Sequence, residues 1–397
     1  MKKFFCLSIF ICGLLLSSCS SSSIAGSILS AKEGSETADG RMIDTEASKI
    51  TGNSDSTATS TPTPEPTLTM TAAPTLTQTP TPTPSLTPSP TSTPTAPDLI
   101  SFSYSDLHQG VQPVAYIEDP CDYLISRWDE DKSAPGTIVV PIMFHSVAKP
   151  GREITDSTTI SVAYLDYFME RAKTLGFSTI TTEELIGFLE SNEKIPERSM
   201  ILILDDRRPG VIEEYFMPYL EENDWTLTLA WPTTDATSNS LWERMESLAE
   251  TGYLDVQSHG HDHIYIQDYT PLEEIEEEVY QPIEVIQSHF GTTPRALIWP
   301  GGNFNQISVQ LAQEAGFKLG FTVFSRGPVM YNWIPLGPQE TAMGAPLLVL
   351  PRFWSTAADA ALEKALQIGE EARVAAEILK AEELAYIASY CQPQDGD

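Results

Sequence analysis

The 397-residue chain has little positive charge: 23 Lys and Arg stand against 55 Asp and Glu, for a formal net charge of −32. The acids are spread along the chain rather than blocked, which argues against nucleic acid or anionic lipid as a partner of the folded part. Histidine is scarce, with six in all and none after His289. Of five cysteines, three (Cys6, Cys12 and Cys19) fall within the first 19 residues, leaving Cys121 and Cys391 for any folded domain. From Thr51 to Pro97 there is no aromatic residue, no Lys and no Arg. A stretch of that composition cannot bury enough apolar surface to fold.

The N-terminus begins Met1-Lys-Lys, continues with an apolar run from Phe4 to Leu16 and closes with Leu16-Ser-Ser-Cys19. This pattern reads as a secretory signal, too short for a spanning helix. Its end resembles a bacterial lipobox, in which the cysteine is lipidated and becomes the mature N-terminus; an ordinary signal peptide cut nearby is the alternative. On either reading the chain is exported, and lipid on Cys19 would anchor it to the outer face of the cell membrane, facing the wall or the extracellular space. We expect a signal peptide at 1–18 and a Ser/Thr/Pro-rich disordered linker at 19–97, which proline keeps extended over roughly 100 Å. In an exported protein the pair Cys121 and Cys391 predicts one disulfide.

About 300 residues remain, enough for one large domain with extensions. The expected divisions are an N-terminal extension at 98–135, a principal domain at 136–354 and a helical extension at 355–397. Apolar strands at 137–144, 200–205, 226–231, 253–257, 296–299 and 319–323 alternate with helical spacing at 161–175, 182–190, 211–222, 241–251, 271–290 and 307–315. This βα alternation predicts a parallel sheet, as a barrel or doubly wound. Thr356 with Asp359 reads as a capping box opening a long helix, whose apolar side would carry Leu362, Leu366, Ile378, Leu384 and Ile387. A monomer is expected.

Chemistry concentrates at two strand ends. Met200-Ile-Leu-Ile-Leu-Asp205-Asp206 is a continuous apolar run stopped by two acids. Carboxylates at the C-terminal ends of buried parallel strands stand where α/β folds place their sites. Consecutive strand residues diverge, so one acid could bind a metal while its neighbour takes a proton. A second strand ends in Ser258-His259-Gly260-His261-Asp262-His263. His259 and His263 are four apart, so a helical turn would put both on one side. Two imidazoles and a carboxylate make a three-ligand set for a divalent ion; a surface turn that binds metal incidentally is the bland reading.

At these residues the chain resembles the polysaccharide deacetylase family with the NodB homology domain (carbohydrate esterase family 4). Ile203-Leu204-Asp205-Asp206-Arg207 stands at its Thr-Phe-Asp-Asp-Gly motif, His259-Gly-His-Asp-His263 at its His-Ser/Thr-x-x-His motif, and Trp299-Pro300-Gly301-Gly302 at its Pro-Tyr-Gly motif. Pro141 to Val147, containing His145, resembles the family's opening strand, and Leu350-Pro-Arg352-Phe353 a late Arg-containing strand. The likeness covers roughly 136 to 354. It implies an α/β fold, a distorted (β/α) barrel of about seven parallel strands, here with N- and C-terminal helical extensions. It also implies a metal-dependent hydrolase of carbon–nitrogen bonds that removes N- or O-acetyl groups from a cell-surface or extracellular glycan.

Carried over residue by residue, Asp206, His259 and His263 would hold one divalent ion, zinc being the first choice. Asp205 would be the general base, and the Gly301 N–H an oxyanion donor. Trp299, Pro300, Arg207 and His145 would line the substrate cleft. Trp231, Trp299 and Trp354 could stack on sugars or belong to the core. Three departures bear on activity: Arg207, with Arg208 beside it, replaces the glycine after the acid pair, Gly301 replaces the tyrosine, and the family's late Leu-x-His has no counterpart. The proton donor is then His145, an unrecognised residue or absent. The competing expectation is a deacetylase-like carbohydrate-binding or scaffolding lipoprotein with weakened catalysis.

Overall fold

A computed structural model describes residues 95–391. The signal peptide, Cys19 and nearly all of the linker lie outside the described residues.

The fold is an α/β barrel of parallel strands. Its strands are β1 (Ile138–Phe144), β2 (Arg198–Asp205), β3 (Leu227–Trp231), β4 (Leu254–Ser258), β5 (Ala296–Ile298), β6 (Leu319–Phe321) and β7 (Phe353–Trp354). The spatial order is β6-β5-β4-β3-β2-β1-β7, with the short strand Ser178–Thr179 added beside β2. A parallel bridge between Phe321 and Leu350 joins β6 to the segment leading into β7, so the curled sheet meets itself through residues 350–354. Most of these strands form because their residues are largely apolar, as strands covered on both faces require; β4, Leu-Asp-Val-Gln-Ser, is the exception. Ile138, Val140, Ile142 and Phe144 pack in one hydrophobic cluster with Met200, Leu202 and Leu204; Val139 joins Ile201 and Ile203 in the other. The period of two puts Asp205 on the Ile201/Ile203 side at the strand end.

Helices α1 (Pro120–Trp128), α2 (Val162–Thr174) and α3 (Thr182–Ser191) precede β2. Between β2 and β3 a helical segment spans 209–223, with a wider five-residue turn at Ile212–Phe216. Pro218 lies just beyond it and lacks the amide that an α-helical bond would need. Helices α4 (Asn239–Ala249), α5 (Leu272–Phe290) and α6 (Gln306–Glu314) complete the alternation. Every expected strand and helix is present, with ends shifted by one or two residues.

The last helix, α7 (Ala358–Tyr390), departs from the expectation in two ways. Its N-cap is Ala357 without a side-chain hydrogen bond, and Asp359 instead accepts from Tyr164 Oη at 2.7 Å, so there is no capping box. Its packed face is built from Ala358, Ala361, Leu362, Ala365, Ile368, Gly369, Ala372 and Ala376, while Ile378 is 76% exposed and Leu384 41%. Small residues win because the helix crosses close to the barrel: a Cβ on Gly369 would lie 2.8 Å from the Gly136 carbonyl oxygen. Cys121 and Cys391 are joined, with Cα atoms 5.2 Å apart. Among the described residues no helix is long and apolar enough to cross a membrane.

Candidate functional site

The C-terminal ends of β1, β2, β4 and β5 bring the sequence motifs together, and Arg352 joins them from the segment just before β7. Asp205 ends β2 and is 2% exposed. Its Oδ1 accepts from Arg352 Nη1 at 2.7 Å; its Oδ2 lies 3.5 Å from His145 Nε2 and 3.8 Å from His259 Nε2. Burial alone would raise the Asp205 pKa. The Arg352 guanidinium, with His259 and His145, outweighs it and holds the carboxyl below its ordinary value. Arg352 is itself fully buried and spends its Nε on the Thr322 carbonyl at 2.7 Å. Sequence reading marked Arg352 as part of a late strand but missed this pairing, which spans 147 residues.

Asp206 does not continue the strand. Its φ is +74°, a left-handed conformation that turns the chain so that both carboxylates face the histidines. His263 does the same, with φ +62°. Non-glycine residues in this region carry strain, which collects at functional sites. His259 and His263 are therefore not on a helical turn as expected. They sit on an irregular loop that also turns at Gly260, φ +77°, and their Nε2 atoms are 3.2 Å apart.

Asp206, His259 and His263 each offer a ligand atom, all within 4.8 Å of one another. Asp206 Oδ1 is 3.7 Å from His263 Nε2. His259 Nδ1 donates to the Ile298 carbonyl at 2.7 Å, which leaves a lone pair on its buried Nε2 facing the cluster. Burial, opposed by Asp205, lowers the His259 pKa to about 4, so the ring is neutral, as a metal ligand must be. The donor set fits a divalent cation. Asp206 Oδ2 accepts from Arg208 Nη2 at 2.8 Å, so one carboxylate oxygen is committed to a cation of the protein's own.

His145 stacks on Trp354, ring centroids 6.4 Å apart, and burial lowers its pKa. His261 lies buried between the ligands without facing them; its Nδ1 meets Thr233 Oγ1 at 2.9 Å. The loop is held from below by Glu278 of α5, 2% exposed, which accepts from the His261 N–H at 3.1 Å and the Asp262 N–H at 2.6 Å. Sequence reading missed Glu278 among the acids of α5. Its spacing from Ile275, Val279, Pro282 and Ile286, all on the buried stripe, was the available signal.

Two expected cleft residues are corrected. Trp299 is fully buried and donates from Nε1 to the Leu348 carbonyl at 2.9 Å, so it belongs to the core and cannot meet a substrate. Pro300 is buried behind it. Trp231 is also fully buried. The aromatic at the mouth is Tyr265, 56% exposed, with its ring 5.5 Å from that of His263 and against Gly301. Gly301 has φ +60° and is exposed beside the cluster. Arg207 lines the cleft with Asp206, Arg208, Pro232, Thr234, Asp262 and His263.

Residues 192–320 match the family model described as polysaccharide deacetylase. That stretch belongs to the polysaccharide deacetylase family. It holds both strand ends, both histidine ligand candidates and Gly301; His145 directly follows β1 and Arg352 directly precedes β7 of the same barrel. Similar solved structures include the Streptococcus pyogenes deacetylase PplD in complex with acetate, 19% identical over 59% of this chain and 99% of that one, with a TM-score of 0.49. A Bacillus cereus polysaccharide deacetylase is 18% identical over 58% and 69%, with a TM-score of 0.46. IcaB from Ammonifex degensii is 16% identical over 60% and 98%, with a TM-score of 0.45. Comparison with curated proteins gives no match.

Proposed function

We propose that the protein is a metal-dependent deacetylase that removes acetyl groups from a glycan outside the cell. The observation that carries this reading is the convergence of Asp206, His259 and His263 beside a second, ionised acid, Asp205, that is not needed as a ligand. A divalent ion held by the three, zinc best matching two imidazoles and a carboxylate, would supply a Lewis acid to the acetyl carbonyl. Asp205 Oδ2 is the base that takes a proton from the attacking water. Arg352 fixes its position and keeps it unprotonated. His145, 3.5 Å from Asp205, is placed to return that proton to the leaving nitrogen or oxygen, which answers the missing late histidine. The exposed Gly301 amide stands beside the centre as a donor to the developing oxyanion.

Residues 136–354 form the catalytic unit in this reading. Export follows from Met1 to Cys19, and the Cys121–Cys391 bond fits an oxidising compartment. Lipid on Cys19 would anchor the chain and the linker would carry the domain outward. One observation favours a second reading, a glycan-binding protein without turnover: Arg208 is ion-paired to a ligand carboxylate. Metal analysis of the purified protein, together with acetate release from acetylated glycans before and after chelation, decides between them. One bound ion and chelator-sensitive acetate release are expected. Stoichiometric metal without acetate release would leave the binding reading.

A further inference from the structure

We propose that Arg207 and Arg208 form an anion subsite, so that the glycan carries a carboxylate or phosphate close to its acetylated sugar. This rests on the deacetylase reading and adds the substrate's charge. The two arginines line one open cleft of about 390 Å³ together with Asp206 and His263, the candidate ligands. A group bound to them therefore lies next to the acetyl-bearing residue. Among the described residues Arg207 makes one side-chain hydrogen bond, Nη1 to Thr237 Oγ1 at 3.0 Å. Guanidinium has five N–H donors in a planar fork suited to carboxylate and phosphate. Arg208 reaches Asp206 with Nη2, and its Nε is buried without a partner. Among the described residues the other Nη donors of both guanidiniums have no hydrogen-bond partner, and these are what a ligand oxygen in the cleft would meet.

Stability does not explain the pair. The Arg208–Asp206 contact is about one-third exposed on both sides, where an ion pair is worth roughly 0–1 kcal/mol. Cations are also the rarer charge in this chain, 23 against 55, yet two adjacent ones stand at the mouth of the site. The acidic remainder of the protein does not cancel them, because exposed charges are screened beyond about 8 Å at physiological salt.

The test uses the exported protein stripped of metal, so that coordination cannot imitate binding to arginine. Calorimetric titration would compare trigalacturonate, N-acetylglucosamine 6-phosphate and the neutral N-acetylglucosamine trimer. At least one anionic probe should bind roughly ten- to a hundredfold tighter than the neutral one, the range for one or two charge-assisted hydrogen bonds. That preference should disappear in Arg207→Gln/Arg208→Gln. The better anionic probe identifies carboxylate or phosphate. Equal binding of all three, or a preference that survives the double substitution, overturns the subsite. Acetate release with metal restored is scored separately. Turnover without charge preference leaves the deacetylase reading standing and removes the subsite. Preference in binding without turnover on any acetylated glycan does the reverse.

Discussion

Asp205 is an acid shut away from water, and it is kept ionised chiefly by Arg352, buried with it, with help from His259 and His145. Two different substitutions separate its chemistry from its support. Asp205→Asn keeps the shape and removes the base, so acetate release should fall on the order of 100-fold or more while bound metal is retained. Near wild-type release would reassign the base. Arg352→Met leaves a buried carboxylate without its cation, at a cost of about 3–5 kcal/mol. With burial then unopposed by the guanidinium, the Asp205 pKa should rise and the acid limb of the pH–rate profile should move to higher pH. An unmoved limb would show that Asp205 is not the group titrating there. The acid pair was legible in the sequence because it stops an unbroken apolar run, and the histidines because three of the chain's six cluster just beyond a short strand. Arg352 was legible only as a motif, since its partner lies 147 residues away and no local pattern encodes a long-range ion pair. Trp299 misled for a related reason: a tryptophan at a strand end beside a motif looks the same whether it faces a sugar or, as here, the Leu348 carbonyl.

At the scale of elements, the strands were readable and the faces of some helices were not. Buried parallel strands announce themselves as unbroken Val, Ile and Leu. Helix α7 packs largely through alanine and glycine; of the larger apolar residues expected on that side, Leu362 and Leu366 meet the core, while Ile378 and Leu384 face solvent. Helix α5 hides a structural acid among solvated ones. Glu278 clamps the loop between the two candidate ligand histidines, and burial pushes its pKa up to about 7 from an ordinary 4.5. The linkage has a definite sign. Below about pH 4.5 folded and unfolded chains both hold the proton. Between there and about pH 7 only the folded state keeps it, so stability contributed by the protonated acid shrinks as pH rises through this window. Glu278→Gln cannot ionise and lacks that slope. In thermal melts of metal-free protein at pH 5 and pH 8, the wild type should therefore lose ground to Glu278→Gln at the higher pH. A difference in Tm that is the same at both values would mean that Glu278 titrates in its ordinary range.

For the whole molecule, the question is what keeps the end of α7 on a barrel whose chemistry lies at the ends of other elements. Beyond Ala376 the helix has no apolar buried residue; its buried position there is Glu383. Glu383 accepts from Trp128 Nε1 at 2.6 Å and pairs with Arg127 Nε at 3.1 Å, both on α1. The Cys121–Cys391 bond ties the same two helices and closes a sequence separation of 270 residues. The chain-entropy model assigns a loop of that size roughly 5 kcal/mol, an upper figure because the reduced unfolded chain keeps some structure. Cys121→Ala/Cys391→Ala should therefore lower Tm and the denaturant midpoint. Metal content should not change, because no ligand candidate belongs to α1 or α7. Glu383→Gln in that background should cost more than in the oxidised wild type, since it then weakens the remaining polar tie between the helices; the difference is measurable as a double-mutant coupling. Additive costs would mean that the two ties act independently. Loss of metal along with the disulfide would instead show that the clamp reaches the site through β1, against which α7 packs.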